Sequence, residues 1–303
     1  MVMGKIINRL TSSDSQFSSQ LESLVSSRYP GSDAGVVKVV DEIVEAIQKE
    51  GDAALVRYTN KLDDRTVLKP EELKVEFKDL DDSISVELFK ALEISARRIR
   101  VFHERQKDSS WEFTDDLGNV LGQKITALDS VGIYVPGGTA SYPSTVLMNA
   151  IPAIVAGTKK IVMVNPRNKG KHNPGVLYAA KKCGIKEIYS IGGAQAIAAL
   201  AYGTKKIGKV NKIVGPGNLY VATAKKEVFG DVGIDMIAGP SEITVAGDKF
   251  SNPDWIASDL IAQAEHDKLS QSILISKDKN LINKVKKSVS NQIIRLPRKL
   301  IAK

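Results

Sequence analysis

Apolar positions recur every three or four residues through 36–50, where Val37, Val40, Ile43, Val44 and Ile47 fall on one face and Gly51 closes the run. This spacing predicts an amphipathic helix, and 52–62 continues as a second. Residues 73–77 (LKVEF) alternate in the manner of a strand. A long helix is expected over 84–105, carrying Leu88, Leu92, Ile94 and Ile99. Residues 111–124 read as a hairpin turning at Asp116-Leu117-Gly118-Asn119. Ahead of all these, residues 1–34 are rich in serine and end in Tyr29-Pro30-Gly31-Ser32, an N-terminal arm with room for one short helix.

From Val131 the pattern changes. Strands expected at 131–135, 160–165, 187–191, 212–214, 243–246 and 272–276 alternate with helices at 144–156, 175–183, 194–202, 219–229, 253–266 and 281–294. Repeated strand–helix units imply the α/β class, a mainly parallel sheet with helices on both faces. Pro297 stops the last helix ahead of a basic tail. The helix over 253–266 starts at Asn252 or Pro253 and turns Ile256, Leu260, Ile261 and Ala264 to one side. Gln263 and His266 are three apart and share another side, with Asp259 one turn earlier. An imidazole nitrogen and an amide oxygen can both donate lone pairs to zinc, although a solvated polar face gives the same spacing.

Composition narrows the chemistry. The 303 residues suffice for two domains, and 43% apolar with 26% charged residues is ordinary for a soluble globular protein. The single cysteine, Cys183, excludes an internal disulfide and any cysteine-based zinc or iron–sulfur cluster within one chain. It sits near a helix end and reads as core packing, in keeping with a reducing, cytoplasmic setting. No run is long and apolar enough for a membrane span, and the first residues lack a signal-peptide core. The net charge of +8 is spread over lysine pairs such as Lys159–Lys160, Lys181–Lys182 and Lys225–Lys226, several of them closing helices. Without interleaved aromatics this reads as a solvated surface and not a nucleic-acid site.

Ligands of an open parallel sheet bind at the carboxyl ends of its strands. The turns there are rich in glycine and proline: GIYVPGG at 132–138, IGGAQA at 191–196, VGPGN at 214–218 and AGPSE at 238–242. The first, followed by Ser144 as a helix cap, suits an anion such as a dinucleotide pyrophosphate, but it is neither G-x-G-x-x-G nor a Walker A loop. Gly217 in the third is expected at positive φ. Gln195 and Asn218 each stand where a glycine turn enters a helix, and Ser241 stands in the fourth turn. Each can contact a ligand or simply cap its helix. Four such turns in succession point to loops lining a cleft.

Together GIYVPGGTASYPSTVLMNAIPA, SIGGAQAIAALAYGT, KIVGPGNLYVATAKKEVFG, DMIAGPSEITVAGD and ASDLIAQAEHD closely resemble the histidinol dehydrogenase family. The resemblance runs in order from Val36 to about Ser276 and is dense after Val131. It implies a cytoplasmic, homodimeric enzyme that uses zinc and NAD to oxidise L-histidinol through L-histidinaldehyde to L-histidine, the last steps of histidine biosynthesis. It implies two incomplete Rossmann-like domains with mainly parallel sheets, plus the N-terminal helical arm. The arm is 1–34, the first domain joins 35–130 to 242–303 and is incomplete at its C-terminal end, and 131–241 is the second, carrying the glycine-rich cofactor loops. Carried over motif by motif, Tyr134, Gln195 and Asn218 contact NAD, Ser241 binds substrate, and Gln263 and His266 ligate zinc and contact the bound L-histidinol.

The family's chain continues beyond the point where this one ends. The resemblance puts on that further segment the Glu–His acid–base pair, an aspartate zinc ligand and a last histidine ligand donated across the dimer. No catalytic residue is therefore assigned here. His103 and His172 match none of those positions and read as solvated. Two other readings stay open: a non-catalytic NAD- and zinc-binding remnant or one half of a split enzyme, and an aldehyde dehydrogenase working through a Cys183 thioester, which requires a depressed thiol pKa.

Overall fold

A computed structural model describes residues 7–26, 34–63, 65–77, 83–137, 142–167, 170–237, 241–265, 270–296, 299 and 301. Its elements in chain order are α1 (Phe17–Ser26), α2 (Ala34–Glu50), α3 (Asp52–Leu62), a 3-10 turn (Pro70–Leu73), α4 (Val86–Glu104), β1 (Trp111–Thr114), β2 (Val120–Gln123), β3 (Ser130–Tyr134), α5 (Pro143–Val155), β4 (Lys160–Val164), α6 (Pro174–Lys182), β5 (Glu187–Tyr189), α7 (Gly193–Tyr202), β6 (Lys212–Val214), α8 (Leu219–Glu227), β7 (Gly233–Ile234), β8 (Glu242–Ala246), α9 (Pro253–Ala264), β9 (Gln271–Ile275) and α10 (Lys279–Ile293). Two compact units result, one of residues 33–237 and one joining 1–32 to 238–303. No helix among the described residues is long and apolar enough to cross a membrane.

The larger unit is built on a parallel five-stranded sheet in the order β5-β4-β3-β6-β7. Successive strand residues point to opposite faces, and both faces are buried. Val131, Ile133, Met163 and Ile188 pack with α4, α5 and α6, whereas Tyr134, Val162, Val164 and Tyr189 pack with α2, α3, α7 and α8. Val40, Ile43, Val44 and Ile47 of α2 share a core with Ile197 and Leu200 of α7. Burial of each such side chain stabilises by roughly 1.5–3 kcal/mol, which fixes these helices on the sheet.

The expected strand at 73–77 does not form as a strand. Lys74 alone bridges Tyr189 at the edge of β5, flanked by Val75 N–H donating to Ile188 O (2.8 Å) and Ser190 N–H donating to Leu73 O (2.7 Å). Leu73 enters the core on one face of the sheet and Val75 the core on the other. Residues two apart in a regular strand share a face, so this segment wraps the sheet edge instead. The hairpin β1–β2 forms as expected, with Asp115 Oδ1 accepting from the N–H groups of Leu117 (2.9 Å) and Asn119 (2.8 Å). β7 had no counterpart in the pattern, because two residues carry no alternation.

In the smaller unit β8 and β9 pair in parallel, and Ile256, Ala257, Leu260 and Ile261 of α9 pack against Leu281, Val285 and Val289 of α10. Asn252 caps α9, its Oδ1 accepting from Asp254 N–H (2.8 Å) and Trp255 N–H (3.3 Å). Pro297 and the arm's 29–32 lie outside the described residues.

Candidate functional site

The chain leaves β3 for β4 and β5 on one side and returns to β6 and β7 on the other. In sheets of this kind ligands bind outside the carboxyl ends of the strands where the order reverses, which here are β3 and β6. Tyr134 is the last residue of β3 and is buried. Its phenol oxygen accepts from Gly193 N–H at 3.1 Å, tying β3 to the first residue of α7. Burial pushes this phenol up to about 12, and the Asp63 carboxylate adds to the rise.

Gln195 stands in the first turn of α7 and is fully buried. Neither its Oε1 nor its Nε2 has a hydrogen-bond partner among the described residues. An amide buried without partners costs about 1–3 kcal/mol, so a ligand that meets it recovers that cost. Asn218 is exposed and caps α8, Oδ1 accepting from Val221 N–H at 3.1 Å. The structure thus gathers Tyr134 and Gln195 around Gly193 and puts Asn218 on the turn after β6, the strand beside β3.

That turn is held closely. Gly215 has φ +117°, and a Cβ there would lie 2.2 Å from the Tyr134 carbonyl oxygen, so only glycine fits. Positive φ falls on Gly215 and not on Gly217, whose added Cβ would instead meet the Val221 side chain at 2.2 Å. The sequence pattern predicts Lys225 and Lys226 as a solvated pair. Lys226 is exposed, but Lys225 is buried and paired with Asp235. A lone lysine in a helix end carries no sequence signal of burial; its partner lies ten residues on, across β7.

The carboxyl edge holds further polar groups. Asn165 Nδ2 donates to Val135 O (2.9 Å), joining the ends of β4 and β3. His172, expected to be solvated, is half-buried, with Nδ1 3.1 Å from Asn165 Oδ1 and a buried Nε2 that has no partner among the described residues. Burial, with Arg167 and Arg65 nearby, lowers its pKa to about 4. His103 is half-buried at the end of α4, edge-on to Phe102. Asp63 accepts from Gly192 N–H (3.3 Å), and burial raises its carboxyl above the usual range. Cys183 is half-buried in the core, and burial pushes its thiol up to about 11, opposite to what a thioester nucleophile needs.

In the smaller unit Ser241 is exposed just before β8, its carbonyl accepting from Gln271 N–H (3.1 Å). Gln263, in the last turn of α9, is half-buried and its Nε2 donates to Ser270 Oγ (3.4 Å). Ser270 and Ser241 immediately precede the paired Gln271 and Glu242, so these residues meet at the amino edge of the β8–β9 pair, not at a carboxyl edge. His266 lies outside the described residues, as do 138–141 and 238–240 of the glycine turns.

The family model described as histidinol dehydrogenase matches residues 27–303. The histidinol dehydrogenase of Pelagibacter ubique is 54% identical over 301 residues, covering 98% of this chain and 69% of that protein. That of Dechloromonas aromatica is 49% identical over 296 residues, covering 97% and 68%. The crystal structure of histidinol dehydrogenase from Elizabethkingia anophelis superposes with a TM-score of 0.80 at 40% identity, covering 88% of this chain and 62% of that one. The chain thus spans about two thirds of the length of the relatives it matches.

Proposed function

The chain belongs to the histidinol dehydrogenase family, and from that premise we propose that it serves NAD-dependent oxidation of L-histidinol through L-histidinaldehyde to L-histidine. The observation that carries this reading is the fully buried amide of Gln195, without a partner among the described residues, beside the Tyr134–Gly193 hydrogen bond. A glycine-lined carboxyl edge with an orphaned amide fits a dinucleotide. Tyr134, Gln195 and Asn218 would hold NAD, which accepts hydride when bound. The buried Tyr134 phenol stays neutral at physiological pH and so presents a hydroxyl, not a phenolate.

Ser241, Gln263 and His266 would bind L-histidinol, and Gln263 and His266 would also ligate zinc. A zinc ion held by these residues would serve to orient the substrate. No acid–base residue is assigned within this chain. Two incomplete Rossmann-like folds, a homodimer and a cytoplasmic setting complete the reading.

The test is histidinol-dependent NADH formation by the purified chain with zinc added, alongside His266→Asn. A signal lost in the variant supports the enzymatic reading. A folded chain that binds NAD and forms no NADH favours the non-catalytic remnant or half of a split enzyme.

A further inference from the structure

We propose that Lys225 and Asp235 are positioning residues that fix the turn 215–218 and thereby hold Asn218 against the dinucleotide; the proposal rests on reading the carboxyl ends of β3 and β6 as a dinucleotide site. One ion pair takes both polar groups of Gly215. Lys225 Nζ donates to Gly215 O at 3.1 Å, and Gly215 N–H donates to Asp235 Oδ2 at 2.8 Å. Lys225 Nζ also donates to Asp235 Oδ1, which accepts in addition from Met236 N–H at 2.7 Å. Asp235 is itself anchored, its N–H donating to Ile213 O of β6 at 3.2 Å.

The placement of Lys225 links the clamp to Asn218. It projects from α8, the helix whose first turn Asn218 caps. The turn is thus fixed at both ends, by the cap at Asn218 and by the ion pair at Gly215. Gly215 in turn packs on the Tyr134 carbonyl, so the clamp sets where Asn218 stands relative to Tyr134.

An ion pair is a poor choice for stability at such a place. The Lys225 side chain is 2% exposed, and burying an ammonium group incurs a desolvation cost that an apolar side chain of similar volume would avoid. Its distinctive contribution is a single geometry, imposed on a glycine that would otherwise sample many. The side chain of Asp235 is 30% exposed, so water can still reach it when the lysine charge is removed.

The experiment compares the whole chain with Lys225→Met, with the paired apolar replacement Lys225→Met/Asp235→Leu, and with Asn218→Ala alone and combined with Lys225→Met. NAD affinity is read by titration, and backbone order by hydrogen exchange in peptides covering 213–221. We expect Lys225→Met to weaken NAD binding about tenfold, the scale of a lost charged hydrogen bond, and to speed exchange. In the Asn218→Ala background its further effect on NAD should fall below about twofold, because both residues act on one contact. The double replacement keeps the test open if the single variant misfolds, and it should show the same loss. Unchanged NAD affinity in a folded variant, or a full tenfold loss persisting without the Asn218 side chain, overturns the proposal. Unchanged exchange overturns the clamp itself. A wild-type chain that binds no NAD, yet whose exchange responds to Lys225→Met, removes the dinucleotide reading and the positioning role with it while leaving the clamp as a purely structural feature.

Discussion

The Tyr134 phenol oxygen and the Gly193 backbone N–H, 59 residues apart in sequence, meet at 3.1 Å and tie the end of the central strand to the start of α7. Removing the acceptor leaves the half-buried Gly193 N–H without this partner. Tyr134→Phe is therefore expected to lower stability by about 1–2 kcal/mol, read as a shifted urea midpoint at unchanged slope. NAD affinity should fall in the same variant, because Gln195 follows Gly193 by two residues.

Gly215→Ala should be worse than an ordinary glycine substitution. The added Cβ meets backbone, the Tyr134 carbonyl at 2.2 Å, at a φ of +117° that other residues resist. A loss on the order of 2–4 kcal/mol is expected, measured by urea unfolding against Gly170→Ala. Gly170 also has positive φ but nothing within 4 Å of an added Cβ, so its variant isolates the conformational part of the cost.

Much of this architecture is visible in the residue pattern. Gly51 and the spacing of Val40, Ile43, Val44 and Ile47 mark α2, and residues 52–62 form α3 with the expected bounds. The failures share a cause: they depend on what lies across space. LKVEF alternates, but Leu73 and Val75 serve different cores at the sheet edge. His172 sits in a polar stretch, yet Asn165 and the sheet edge enclose it. Lys225 resembles its neighbour Lys226 until Asp235 comes into view. Gln195 and Asn218 were legible as positions, at glycine turns leading into helices. That the Gln195 amide is orphaned while Asn218 is a cap depends on the packing of α7 and α8.

The acid limb of stability should carry the signature of His172. Its folded pKa is lowered to about 4, below the unfolded value near 6.5. The unfolded chain then binds more protons between these values, so stability is fully present above about pH 6.5 and is lost as pH falls toward 4. The loss is roughly 1–3 kcal/mol. Urea unfolding between pH 7 and 4 should show a flatter acid limb in His172→Gln than in the wild type. Parallel limbs would show that His172 titrates normally.

On the proposed reading the buried amide of Gln195 is kept for the dinucleotide and not for the fold. Gln195→Met keeps the length of the side chain, removes both unpartnered atoms and suits a helix. NAD is titrated into wild type and variant, and each is unfolded in urea. The expected variant is as stable as the wild type or about 1–2 kcal/mol more so, with NAD binding weakened about tenfold or more. A variant that binds NAD as the wild type does, or that unfolds far more easily, would contradict it.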